Sequence, residues 1–254
     1  MKKELVGKTI VGVEVVQPKC LNIPEVAFVD AVNGGRILDV THRGKWIFVE
    51  TSQGWLLISL GMGGEILLVT RSTLPQKYRL IFDFDDQTCL AINFWWFGYA
   101  HYVRNLEDHS MTAQLGPDAW GLTLEEFHML LRGRRGGIKS FLLNQKQIAG
   151  IGNVYVQDPL FEAGIHPLRS INSLSDQEIA ALWESFQGIL KESIDRGGAY
   201  WEQNLYGERG GWDDSHLRVG YREGNPCPRC GTTVEKIKTG STSSYICPNC
   251  QPLG

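Results

Sequence analysis

The sequence has no uninterrupted apolar run approaching the eighteen or so residues that a membrane-spanning helix needs, so no membrane partner is expected. It has no internal repeat and no low-complexity tract, which argues against a solenoid or a disordered linker protein. Positive charge is not in excess either. The 25 Lys and Arg against 28 Asp and Glu leave a formal net charge of −3, which excludes a surface electropositive all round. Screening acts over roughly 8–10 Å, so a local patch can still work, and Arg132, Arg134, Arg135 and Lys139 form one. Alone, such a cluster is more often a solvated helix end and loop. Cysteine is scarce until late in the chain. Only Cys20 and Cys89 precede Cys227, both in apolar, strand-like contexts that suit small buried hydrophobes.

What is present is enough for two domains with real cores: 254 residues, 43% of them apolar. From Lys8 to about Phe94 apolar residues alternate with polar ones. The runs are Thr9 to Val15, Gly35 to Val40, Trp46 to Thr51, Trp55 to Leu60, Glu65 to Val69, Arg79 to Phe84 and Cys89 to Phe94. Short strands separated by Gly, Asp and Ser predict a β-sandwich or barrel. The texture changes near Leu115-Gly116-Pro117-Asp118. Thr123 with Glu126 makes a capping box for a helix running toward Arg132, and Ser175 with Glu178 starts a long helix reaching about Arg196. Shorter helices are predicted near Ile138 to Gln145 and from about Asn153 to Ala163, and a short strand at Leu217 to Tyr221.

The most specific signal is at the end of the chain. Cys227-Pro228-Arg229-Cys230 and Cys247-Pro248-Asn249-Cys250 are two CxxC knuckles separated by sixteen residues, the spacing of a four-thiolate zinc ribbon. Each knuckle aims two sulfurs at one ion from a tight turn, and the intervening segment is long enough for a hairpin. Four protein ligands leave no position for water, so the expected Zn2+ is structural. It supplies about 10–16 kcal/mol to a segment too small to fold alone. A ribbon by itself does not say whether its partner is DNA, RNA or protein.

Gln145-Lys146-Gln147-Ile148-Ala149-Gly150-Ile151-Gly152-Asn153-Val154-Tyr155, continuing through Leu160 to Pro167, resembles the helix-two-turn-helix signature of the formamidopyrimidine-DNA glycosylase and endonuclease VIII family. The finger, ending Cys247 to Gln251, is similar to that family's as well. So are Leu5-Val6-Gly7-Lys8-Thr9-Ile10, His42-Arg43-Gly44-Lys45, Leu60-Gly61-Met62-Gly63-Gly64, Phe97-Gly98 and Leu115-Gly116-Pro117, in the family's order. The resemblance implies an α+β multidomain fold: a β-sandwich over residues 1–118, a helix-two-turn-helix domain over 119–215 and a four-cysteine zinc finger over 216–254. It implies double-stranded, damaged DNA as the partner, held between the two lobes by a single copy of the chain. A cytoplasmic, nucleoid-associated setting is the expectation from the opening Met1-Lys2-Lys3-Glu4, which leads into an alternating strand rather than a signal-peptide core. Met62 and Phe97 then match the residues that fill the space of an everted nucleotide and wedge the base stack, while Asn153 and Lys139 match phosphate-positioning groups.

The departures fall on chemistry. Active members use an N-terminal proline amine, with a neighbouring glutamate in proton transfer, ahead of a first helix, whereas here Met1 to Glu4 lead directly into Leu5-Val6-Gly7. An α-amine near pKa 7.7–8.0 has roughly 300-fold more free base at pH 7 than an ordinary lysine. The amines available as substitutes are Lys45, whose other reading is a phosphate contact, and the Met1 α-amine. Asn93-Phe94-Trp95-Trp96-Phe97-Gly98 stands for the family's Asp-Pro-Arg-Arg-Phe-Gly, which puts Trp96 where an arginine reads the opposite base. Thr242 stands where a phosphate-clamping arginine is expected, Ser59 where a histidine often stands, and Asp158 where a glutamate is usual. Three functions follow as expectations: a damaged-DNA binder, an active glycosylase or abasic-site lyase using a substitute amine or an N-terminus missing from this sequence, and a zinc-ribbon scaffold for RNA or protein.

Overall fold

All seven expected N-terminal runs are strands in the computed structural model, which describes residues 1–94 and 97–253. They are β1 (Ile10–Val15), β2 (Ile37–Arg43), β3 (Trp46–Thr51), β4 (Gly54–Ser59), β5 (Glu65–Thr70), β6 (Leu80–Phe84) and β7 (Thr88–Asn93), followed by an eighth, β8 (Tyr99–Val103). Two antiparallel sheets result, with orders β1-β6-β7-β5 and β2-β3-β4-β8. Their inner faces share one core. Ile10, Leu80, Phe82, Leu90 and Ile92 of the first sheet meet Ile37, Val49, Leu56, Ile58 and Ala100 of the second. Each of these side chains larger than alanine contributes about 1.5–3 kcal/mol by leaving water.

The alternation reading did not give the helices of this unit or its eighth strand. Residues 25–32 form a helix, α2 (Glu25–Val32), which follows the four-residue α1 (Lys2–Leu5). Phe28 and Val32 of α2, one helical turn apart, are buried against the sandwich. In β8, Tyr-Ala-His-Tyr-Val buries Ala100 and His101 side by side and so does not alternate. A short α3 (Ser110–Ala113) follows.

The chain divides into two units: Met1–Gln114 with Tyr200–Gly210, and Leu115–Ala199 with Gly211–Gly254. Residues 200–210 follow the long helix in sequence yet join the sandwich. Leu205 enters its core, and its carbonyl accepts from the Leu68 amide at 2.8 Å. In the second unit α4 (Leu124–Leu131) and α7 (Asp176–Asp195) start at the expected capping boxes, each formed in both directions. Between them lie α5 (Ile138–Leu143) and α6 (Gln157–Glu162). Ile138, Leu142, Ile148, Leu160, Leu182 and Phe186 form this unit's core. The hairpin of β9 (Glu235–Thr239) and β10 (Thr242–Ile246) completes it. No strand forms at 217–221; a 3-10 turn at Asp214–His216 leads into bends there. Among the described residues no helix is long and apolar enough to cross a membrane.

Candidate nucleic-acid interface and metal centre

Strand register brings three of the sequence-selected residues to one end of the sandwich. Ser59 pairs with Tyr99 and Glu65 pairs with Asn93, so the crossovers 60–64 and 94–98 connect the same two sheets at the same strand ends. The β2–β3 turn lies at that end too, because Arg43 pairs with Trp46 and Ile47 with Ile58, one position before Ser59. Lys45, Met62 and Phe97 are therefore the tips of three neighbouring connections. Met62 is 60% exposed and Phe97 69%, whereas the sandwich's core side chains lie below about a tenth. Gly61 and Gly63, at φ 64° and 67°, hold Met62 at the apex of its loop in a backbone conformation that side-chain-bearing residues disfavour. Phe97 is itself left-handed at φ 59°, and Gly98 behind it admits the Phe94 ring, which a Cβ there would approach to 2.3 Å. A large apolar side chain on a left-handed backbone marks a place where position outweighs local stability.

Beneath these tips is an aromatic cluster that sequence reading missed. Trp46 stacks on Tyr99 with centroids 5.9 Å apart and planes at 9°. Their strands flank β4, and the rings can meet because the residue between them is the small Ser59, in the place where a histidine was expected. Trp46 also touches His101 and His109, which are buried and joined by a 2.8 Å bond from ring nitrogen to ring nitrogen. The Thr112 amide donates to His109 Nδ1, so that nitrogen is an acceptor. His109 Nε2 therefore carries the proton and donates to His101 Nδ1. Both rings are neutral: burial pulls His101 down to about 4, and it lowers His109 as well. Lys45 is exposed at its tip, yet protein atoms crowded around its ammonium hold it below the ordinary lysine range.

Met1 lies elsewhere in this unit. Its side chain packs on the sandwich core, and its carbonyl accepts from Glu4 and Leu5 in the first helical turn. Trp96 lies outside the described residues.

In the helical unit, the segment 144–153 is tightly bonded. The Gly150 amide donates to Gln145 Oε1, and Gln145 Nε2 donates to the Leu143 and Ile151 carbonyls. Asn153 is half-buried and does not open the helix as expected; 153–156 is a turn and α6 starts at Gln157. The Nδ2 of its side-chain amide reaches the Tyr221 hydroxyl at 3.2 Å. Lys139 is 2% exposed, and its ammonium donates to Ser243 O (2.6 Å), Ser244 Oγ (2.8 Å) and Thr239 Oγ1 (3.2 Å). All three hydrogens are engaged, so Lys139 ties α5 to the finger hairpin. Burial draws it down to about 8 against the three accepting oxygens, which favour the charged form. Thr242 opens β10, and its hydroxyl closes the hairpin turn on the Thr239 carbonyl at 3.2 Å. Asp158 is buried and accepts from the amides of Arg218, Val219 and Gly220, which fixes the approach to the finger. Arg132, Arg134 and Arg135 are exposed between α4 and α5.

The sulfurs of Cys227, Cys230, Cys247 and Cys250 all lie within 4.8 Å of one another, with 3.9 Å between Cys227 and Cys250 and 3.4 Å between Cys230 and Cys247. A tetrahedron with Zn–S near 2.3 Å has edges of about 3.8 Å, so the four thiolates fit one structural Zn2+. The hairpin they close has a small core of its own: Phe161, Val219, Val234 and Tyr245 beside Cys227 and Cys247.

Three family models match consecutive parts of the chain. The formamidopyrimidine-DNA glycosylase N-terminal domain matches residues 1–93, the formamidopyrimidine-DNA glycosylase H2TH domain residues 115–204, and the zinc finger found in FPG and IleRS residues 224–253. The formamidopyrimidine-DNA glycosylase of Gluconobacter oxydans is 37% identical over 235 residues, covering 87% of this chain and 84% of that protein. That of Pectobacterium atrosepticum is 32% identical over 255 residues, covering 97% and 93%. Among solved structures, Lactococcus lactis Fpg in complex with abasic-site DNA superposes with a TM-score of 0.88 at 27% identity, covering 99% of this chain and 95% of that one. MutM in complex with DNA containing carbocyclic 8-oxo-G gives 0.88 at 28% identity with the same coverage.

Proposed function

The chain belongs to the formamidopyrimidine-DNA glycosylase family, and from that premise we propose that it is a base-excision repair protein that grips damaged duplex DNA. The observation that carries this reading is the trio of tips at one end of the sandwich. Met62 and Phe97 are exposed although large and apolar, and each is held there by short, strained or glycine-flanked loops. An apolar side chain presented this way can occupy the gap left by an everted base and offset an unstacking cost of a few kcal/mol. Asn153 supplies a phosphate contact from the helical unit through its Nδ2 hydrogens. The Zn2+ holds the finger hairpin and takes no part in chemistry. Trp96, in the opposite-base position, would stack without an arginine's fork of donors.

A second reading, lyase chemistry at Lys45, is favoured by the place of this residue on an exposed loop tip together with the desolvation that lowers the pKa of its amine. The unprotonated Nζ would add to the C1′ aldehyde of an opened abasic sugar and lose water to form an imine. Borohydride reduces that imine to a stable secondary amine. The test has two arms. Duplexes that are intact, gapped or carry an abasic-site analogue are compared for binding, with the damaged forms expected to bind at least tenfold tighter; equal affinity for all of them refutes the reading. Borohydride trapping on an abasic duplex, with and without Lys45→Ala, then decides whether that amine reacts.

A further inference from the structure

Asn153 can serve a phosphate only if the correct end of its amide faces outward, since its Oδ1 would repel the anion that its Nδ2 attracts. Oxygen and nitrogen ends have almost the same shape, so packing does not choose between them. The choice is made by Gln157, one turn further on and 2% exposed. Its Nε2 contacts the Asn153 carbonyl at 2.9 Å, Asn153 Oδ1 at 3.2 Å and the Ser243 carbonyl at 3.2 Å. With two hydrogens, one is shared between the two Asn153 oxygens and the other goes to Ser243. A donor at this place holds Oδ1 inward and leaves Nδ2 on the outer side, where it meets the exposed Tyr221.

Gln157 has the same ambiguity and resolves it at its other end. Its Oε1 accepts from the backbone amide of Tyr245 at 3.2 Å, in a buried bond. A backbone N–H cannot exchange ends. Polarity therefore runs in one direction: from the Tyr245 amide in β10, through Gln157, to Oδ1 and then the outward Nδ2 of Asn153. Ser243, which accepts from Gln157, also accepts from the buried Lys139, so the hairpin end of this chain is itself anchored to α5.

We propose that Gln157 is a positioning residue that fixes the donor end of Asn153 toward a DNA phosphate and makes that contact depend on the folded zinc hairpin. The proposal rests on the phosphate role assigned to Asn153 above. Its chemistry needs a side chain that accepts at one end and donates at the other, with the reach of glutamine. Methionine would match the volume without either function, and glutamate would keep the acceptor for Tyr245 but lose the donor for Asn153.

The experiment is a double-mutant cycle on the zinc-loaded full chain, reading Kd for a duplex carrying a tetrahydrofuran abasic-site analogue, with zinc content and Tm measured for each variant. Asn153→Ala is expected to weaken binding about tenfold or more, the scale of a hydrogen bond to a charged group. Gln157→Met and Gln157→Glu should each weaken it to a similar degree with one zinc retained. Either change added to Asn153→Ala should cost less than about a further twofold. If the two losses multiply, or if Gln157→Met binds like the unsubstituted protein while Asn153→Ala does not, the positioning role is wrong and the phosphate role stands. If Asn153→Ala alone binds normally, the phosphate role is wrong and the positioning role falls with it. Should the Gln157 variants not fold, side-chain amide NMR of the unsubstituted protein decides. Slowly exchanging Gln157 Nε2 protons and Asn153 Nδ2 protons that shift on adding the duplex are expected; freely exchanging Gln157 protons overturn the proposal.

Discussion

The two units present their candidate DNA contacts in opposite ways. The sandwich end exposes apolar tips, Met62 and Phe97, which need only to be put in the right place. The helical unit offers an amide, Asn153, which must also be turned the right way round, and its direction is set by the buried Gln157 and the finger strand β10. The difference teaches that a wedge depends on loop geometry, whereas a donor depends on the integrity of a hydrogen-bond chain. Only the second is tied to the metal.

The sharpest way to break this comparison is to take the zinc away. Chelation, or Cys247→Ser, should remove about 10–16 kcal/mol of metal-linked folding energy from the finger. Hydrogen exchange is expected to rise through β9 and β10 while β1 to β8 keep their protection, and DNA affinity should fall with loss of the Tyr245–Gln157–Asn153 chain. Retained protection of β9 and β10 without metal would refute the dependence.

Acid acts on the other unit. His101 is buried neutral with its pKa pulled down from 6.5 to about 4, so between those values the unfolded chain binds more protons than the folded one. Stability is then fully present above about pH 6.5 and falls as pH drops toward 4, by about 3 kcal/mol. Tm measured against pH should show this decline, and His101→Gln, which cannot take up a proton there, should flatten it. A decline unchanged in that variant would place the acid sensitivity elsewhere.

A smaller effect sharpens the distinction between placement and orientation. Phe97→Ala and Met62→Ala remove exposed side chains, so Tm should stay within a degree or two, yet preference for gapped or abasic duplex over intact duplex should drop by about 1–3 kcal/mol. Loss of stability with no loss of preference would make them structural. The smallest effect is local to the helical unit: Thr123→Ala deletes one side of the α4 capping box and should lower stability by about 1 kcal/mol, read by chemical denaturation, without altering lesion preference.

Much of this was legible in the chain, for reasons that differ from element to element. The zinc ligands could be read because knuckle spacing alone restricts where four sulfurs can go. The strands β1 to β7 followed from alternation, and α4 and α7 from capping boxes that act within four residues. Helix α2 was missed because its burial is carried by Phe28 and Val32 amid strand-like neighbours, and β8 because Ala100 and Val103 are the only aliphatic residues in its five. The start of α6 was read early, since Asn153 resembles a cap but its carbonyl is taken by a side chain instead. Lys139 is a basic residue in a basic cluster, and nothing local indicates that its ammonium is enclosed by Thr239, Ser243 and Ser244, a hundred residues away.

By itself, then, the order of residues determined the sandwich strands, the capped helices, the metal and the family, because each rests on patterns only a few residues long or on spacing along the chain. Tertiary structure alone decided which end of the Asn153 amide faces out, that Lys139 faces in, and that His109 donates to His101 in a buried pair. Those outcomes depend on groups far apart in sequence meeting at hydrogen-bond distance, where the direction of each donor is set by its partner rather than by its neighbours in the chain.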